Sequence, residues 1–123
     1  MQTVLIVEDD PAIAELVQGL LEDEGYTVLT ASDGVVALGV LREQRCNLII
    51  ADLMMPNLDG RSLRAAVAAT PSFRGIPIVL MTAASHVTED DRRQFAAVLQ
   101  KPFHLDELLE LTASLLSPSP YPS

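Results

Sequence analysis

Cysteine is almost missing. Cys46 stands alone in 123 residues, which excludes an intramolecular disulfide and any metal site built on several thiolates. Its place near the end of a helical pattern predicts a small apolar residue rather than a reactive thiol. Tryptophan is absent and aromatics make up only 4% of the chain, so the core has to be aliphatic. Positive charge is scarce: 8 Lys and Arg against 17 Asp and Glu give a net charge of −9, which disfavours a non-specific hold on nucleic acid or an anionic membrane. No base precedes Arg42, so the basic start of a secretory leader is missing. No apolar run approaches the roughly 18 residues of a membrane span. A cytoplasmic domain is expected. Lysine is the rarer base, with Lys101 the only one beside seven arginines.

What is present suits one domain, since 49% of the chain is hydrophobic, enough for a substantial core at this length. Thr3–Val7 is a continuous apolar run of the kind found in strands buried on both faces. Asp10-Pro11 opens a helix with a capping carboxylate and a proline in the first turn. Ile13, Leu16, Val17, Leu20 and Leu21 mark one face of that helix, and Gly25 ends it. Tyr26–Thr30 predicts a second strand. Ser32-Asp33-Gly34 opens a second helix carrying Val35, Leu38 and Leu41. Leu48–Ala51 is a third strand, Arg61–Ala69 a third helix, Ile76–Thr82 a fourth strand. A polar helix over Glu89–Ala97, a short strand over Val98–Gln100 and a helix marked by Leu105, Leu108, Leu109, Leu115 and Leu116 complete the order. Residues 1–116 thus form the expected domain, and Ser117–Ser123 (SPSPYPS) a proline-serine tail or the start of a linker. The four methionines are expected as core filler.

Strands alternating with helices imply right-handed crossovers and a parallel sheet covered on both faces. Ligand sites in such sheets lie beyond the carboxyl ends of the strands, where the strand order reverses. A flavodoxin-like order 2-1-3-4-5 would gather Glu8, Asp9, Asp52, Thr82 and Lys101 there. Carboxylates packed together repel unless a cation joins them. An all-oxygen set without His or Cys suits Mg²⁺, which keeps waters and shares positions with phosphate. A carboxylate can also attack phosphorus, and a metal, a lysine and a hydroxyl could neutralise the phosphoryl oxygens.

VLIVEDD at 4–10, IIADLMMPNLDG at 49–60, PIVLMTA at 77–83 and KPF at 101–103 resemble, in order and position, the four signatures of the response-regulator receiver domain, over about residues 2–116. The resemblance implies a phosphorylatable switch of two-component signalling. Asp52 would accept phosphate from a histidine kinase or phosphotransfer protein. Asp9 would bind Mg²⁺ directly and Glu8 through water, with Asp52 and the main-chain carbonyl of Met54 completing the protein ligands. Thr82 and Lys101 would contact the phosphoryl group, Pro56 and Gly60 match the loop after the acceptor, and Pro102 matches a cis peptide. Such a domain is not an enzyme beyond slow self-catalysed phosphorylation and dephosphorylation. Its partners would be the kinase and a downstream protein or an output domain, without direct contact to nucleic acid or membrane.

The chain departs from the receiver pattern in two respects. Val98 occupies the place, three residues before the lysine, where an aromatic is usual. Lys101 follows Thr82 by only 19 positions, which shortens the fourth helix, and the usual Gly-containing turn before the last strand is missing. Two other classes share this pattern: a Mg²⁺-dependent aspartyl-phosphate phosphohydrolase, and a receiver-like binding module with vestigial phosphorylation. The first usually has a second Asp two residues after the acceptor; here that residue is Met54. The acidic set speaks against the second. His86 and His104 have no partner at metal or triad spacing.

Overall fold

The chain alternates β1 (Thr3–Val7), α1 (Pro11–Asp23), β2 (Thr27–Ala31), α2 (Gly34–Glu43), β3 (Leu48–Asp52), α3 (Gly60–Ala69), β4 (Ile78–Ala83), α4 (Glu89–Gln94), β5 (Ala97–Lys101) and α5 (Leu105–Leu116). The computed structural model describes residues 2–83, 85 and 87–116; Met1, Ala84, His86 and the expected tail at 117–123 lie outside them. All strand pairs are parallel, in the order β2-β1-β3-β4-β5. β3, all but the first residue of β1 and all but the last residue of β4 are buried, as their continuous apolar runs require.

Strand alternation divides the core into two layers. Ile6, Ile50, Met81 and Leu99 face α1 and α5 through Val17, Leu21, Leu108 and Leu116. Leu5, Ile49 and Leu80 face the other way, against Ala37, Leu41, Leu63, Val67 and Phe95 of the α2–α4 side. Charge follows the same division. α1 and α5 contain acidic residues and no base, whereas all seven arginines lie in α2, α3, α4 and their adjoining loops.

Asp10 caps α1 by accepting from Ala12 N at 3.0 Å, and Asp33 caps α2 by accepting from Val36 N at 2.9 Å. Gly25 takes φ +96° after α1, a conformation that suits glycine. Boundaries differ from the sequence pattern by a few residues. β2 begins at Thr27 and reaches Ala31, and β4 begins at Ile78, because proline at 77 donates nothing to a ladder. α4 stops at Gln94 rather than Ala97, since Phe95 turns into the core and Ala97 already pairs with Val79. Leu16, Val35 and Leu105 are exposed rather than core-facing. Among the methionines, Met81 is buried and Met55 packs at the core's edge, but Met54 is 60% exposed, because the chain has left the sheet by then.

The β3–α3 loop is pinned at both ends. Gly60 N donates to Leu53 O at 2.9 Å, and a Cβ there would lie 2.7 Å from Asp52 O. Asn57 takes φ 68°, which Asn tolerates, and donates Nδ2 to the Asp33 carboxylate at 2.7 Å. Gly34 admits Leu58, whose Cβ would lie 2.8 Å from an added methyl. Gly60→Ala should therefore lower stability by about 1–3 kcal/mol. Gly19→Ala, in exposed helix with nothing within 4 Å of the new methyl, should raise it by about 0.5–1 kcal/mol. Urea unfolding of the two single variants checks the contrast in sign.

Candidate functional site

Strand register sets the heights of the polar residues beyond the sheet. Val7 pairs with Ala51 and Asp52 with Met81, so Glu8 and Asp52 stand level, one step below Thr82; Lys101 pairs with Ala83, one step higher still. Alternation puts Glu8, Asp52 and Lys101 on the α1/α5 face, in line with Ile6, Ile50 and Leu99, and Thr82 on the opposite face with Leu80. The crevice is thus approached by carboxylates and ammonium from one side and by a hydroxyl from the other.

Carboxylate oxygens of Glu8, Asp9 and Asp52 all lie within 4.8 Å of one another. Oxygens across an octahedral Mg²⁺ stand roughly 4.2 Å apart, so one small hard cation fits this donor set with modest adjustment. Glu8 and Asp52 are buried and Asp9 is exposed, which leaves an open side for water or a phosphoryl oxygen. Lys101 Nζ lies 3.4 Å from Glu8 Oε1 and 3.3 Å from Asp52 Oδ2. Both distances exceed the ~2.7–2.9 Å of a tight charge-assisted bond. The ammonium is shared between the two carboxylates rather than locked to either.

Burial pushes the Glu8 carboxyl above its ordinary range, and neighbouring Asp52 adds to this against the opposing pull of the Asp10 N–H and Lys101. For Lys101 burial acts to lower the ammonium's pKa, but the combined attraction of Asp52 and Glu8 prevails and raises it. Thr82 is 1% exposed, and its hydroxyl makes no hydrogen bond among the described residues. A buried hydroxyl without a partner is costly, and an arriving oxyanion would supply one. The Lys101–Pro102 peptide is cis, and Met54 lies two residues beyond the buried end of β3.

A five-stranded doubly wound sheet with a carboxylate–lysine crevice beyond its central strands defines a flavodoxin-like α/β domain with an acidic site at the switch point. The chain belongs to the response regulator receiver domain family, whose model matches residues 4–113. Response regulator MprA of Mycobacterium ulcerans is 37% identical over 116 residues, covering 92% of this chain and 49% of that protein. This chain spans about half the length of the curated relatives it matches. Among solved structures, the signal receiver domain of a signal transduction histidine kinase from Syntrophus aciditrophicus superposes with a TM-score of 0.86 at 31% identity, covering 97% of this chain and 92% of that one. Response regulator TrrA from Thermotoga maritima, in complex with Mg²⁺-BeF, gives 0.84 at 32% identity, covering 94% and 100%.

One polar contact near the site was not read from the sequence. Arg61, next to Gly60, donates Nε to Asp91 Oδ1 at 2.8 Å and its terminal nitrogen to Asp91 Oδ2 at 2.7 Å. Asp91 is buried in the capping box of α4, where Thr88 Oγ1 accepts from Asp91 N and Asp91 Oδ2 accepts from Thr88 N. Thr88-x-x-Asp91 has the spacing of a capping box, a local signal that could mark the start of α4; the distant arginine has no such signal. The two bonds from Arg61 hold the Asp91 carboxyl far below the ordinary range, aided by Thr88 and opposed by burial. With a folded-state pKa below the unfolded value of 3.8, the stabilisation is complete above that pH and is lost as pH falls below it. Asp91→Asn should cost roughly 1–3 kcal/mol at neutral pH. Denaturant unfolding should show the gap to wild type narrowing once the pH drops below 3.8.

Proposed function

We propose that this domain is the phosphorylatable switch of a two-component phosphorelay, with Asp52 as acceptor and a histidine kinase or histidine phosphotransfer protein as donor. The observation that carries this reading is the single lysine of the chain drawn between buried Glu8 and Asp52, with Asp9 completing an oxygen-only cradle. Glu8, Asp9, Asp52 and the Met54 carbonyl would hold Mg²⁺, which when bound supplies positive charge beside the incoming phosphoryl oxygens.

In the transfer, an Asp52 carboxylate oxygen forms its bond to phosphorus as the bond from phosphorus to the donor imidazole breaks. The electron pair leaves with the imidazole nitrogen. Lys101 follows the charge from the carboxylates to a phosphoryl oxygen, and the Thr82 hydroxyl donates to another. Reversal by water is slow, because Met54, two residues beyond Asp52, and Ala84, two beyond Thr82 and outside the described residues, cannot activate water. The same absence of an acid–base group at 54 disfavours a phosphohydrolase, and the domain turns over too slowly to be counted an enzyme. Its signal passes to a downstream protein or an output domain. Acidity argues against direct nucleic-acid contact, and no described helix is long and apolar enough to cross a membrane; a cytoplasmic location suits both.

Readout falls to α4. Val98 is stiff at χ1 and lacks a ring that could swing between buried and exposed positions, whereas the segment 83–88 and the one-and-a-half-turn α4 lie directly beyond Thr82. Beryllofluoride with Mg²⁺ should shift amide resonances across 83–97 and leave Val98 nearly unmoved; a change centred on Val98 alone would refute this route.

Incubation with acetyl phosphate and Mg²⁺ should give a single retarded band on a phosphate-affinity gel. The band should be absent in Asp52→Asn and in excess chelator, and should persist for many minutes after the donor is removed. Equal labelling of Asp52→Asn would overturn the assignment.

A further inference from the structure

Five of the seven arginines, Arg42, Arg45, Arg64, Arg74 and Arg93, line two adjoining cavities of about 840 and 390 Å³ at the amino-terminal edge of the sheet. The cavities meet at Arg74, Gly75 and Ile76, which line both. Glu43 is the only acidic residue in either lining. In a chain of net charge −9, this concentration of positive charge runs against the rest of the surface.

The charge is also poorly matched locally. Arg42, Arg45 and Arg74 have no ion pair among the described residues. Arg93 reaches Asp90 only at 3.6 Å with both side chains largely exposed, a weak pair in water. Arg64 lies over the Phe95 ring, 6.0 Å from its centroid. The α2 carboxyl terminus accounts for a base at Arg42, but not for the other four. Beneath the guanidinium groups the larger cavity has an apolar floor of Leu38, Leu41, Phe73 and Ile76. The loop that carries Arg74 is held in shape, with Arg74 N bonded to Thr70 O at 3.0 Å, Ile76 N to Phe73 O at 3.1 Å, and Gly75 at φ +99°.

We propose that this arginine-lined groove binds a small polyphosphate ligand, a nucleoside polyphosphate or an inorganic oligophosphate. Guanidinium groups match phosphate oxygens with paired donors, and the larger cavity lies within the roughly 300–1,000 Å³ of small-molecule sites. A small ligand is favoured over an acidic macromolecule. Within a screening length of about 8 Å it meets the arginines and the single carboxylate of Glu43, whereas a large polyanion would also meet the acidic remainder. The site stands at the opposite end of the strands from Asp52 and does not depend on that residue's chemistry.

Amide spectra and calorimetry with ATP, AMP and tripolyphosphate, in chelator, test the proposal. ATP should bind saturably, shift Arg42, Arg45, Gly75 and Ile76, and weaken as salt rises. AMP should bind about tenfold more weakly or worse. Tripolyphosphate binding as well as ATP would assign the site to the phosphate chain, and weaker binding would assign it to a nucleotide. Arg74→Ala should weaken ATP about tenfold, and Glu43→Gln should strengthen it. Arg92→Ala, an equal loss of charge outside the groove, and Asp52→Asn should leave it unchanged. Should Arg74→Ala fold poorly, Arg45→Ala serves the same comparison. No saturation below about 1 mM, shifts centred elsewhere, or equal losses from Arg74→Ala and Arg92→Ala would overturn the proposal.

Discussion

Three carboxylates held within 4.8 Å of one another repel, and the architecture around the crevice answers that repulsion. Glu8 and Asp52 sit level on adjacent central strands because β1 and β3 are parallel and in register. Neither can move apart without breaking the most deeply buried part of the sheet. Lys101 supplies the compensating charge, and a compact ammonium can lie between two carboxylates where a broad guanidinium fork would need planar pairing with one. Its raised pKa means that this contribution to stability is present below the ordinary 10.5 and is lost only as pH rises through the higher native value. The Glu8 carboxyl still stands above its ordinary range, first because it is buried and then because Asp52 lies beside it.

The loop after Asp52 transmits position in two directions. Asn57 ties it to the cap of α2, and Gly60 folds it back onto the end of β3. The next residue, Arg61, grips α4 through Asp91. A change at the Asp52 end of β3 therefore meets α4 through one residue beyond a glycine contact, while the α2 side stays anchored. A helix of six residues has little packing of its own to resist such a pull, and its capping box depends on the same carboxylate that Arg61 holds.

Most of the fold was legible in the sequence because its signals were local. Continuous apolar runs marked β1, β3 and β4, and Asp10 and Asp33 marked helix starts. The alternation of elements then led to the parallel sheet, and the flavodoxin-like order taken for it is the one observed. The residues of the crevice were legible for the same reason, since each ends a strand. Legibility failed where the determinant was distant or geometric. Phe95 ends α4 early by entering the core, which no periodicity over 89–97 signals. Leu16, Val35 and Leu105 keep helical spacing yet stay exposed. The Arg61–Asp91 pair joins residues 30 apart in sequence, with neither unusual for its own surroundings. The arginine groove needs three separate segments folded together before its charge can be seen as one surface.

The division of charge across the sheet has a kinetic consequence. With every arginine on the α2–α4 side and none on α1 or α5, the charge distribution has a component across the sheet, superposed on a net negative charge. A positively charged surface approaching by diffusion would turn the molecule so that α1 and α5 lead, before any side chain touches. Orientation then precedes contact, and added salt acts first on how often encounters begin in a productive pose.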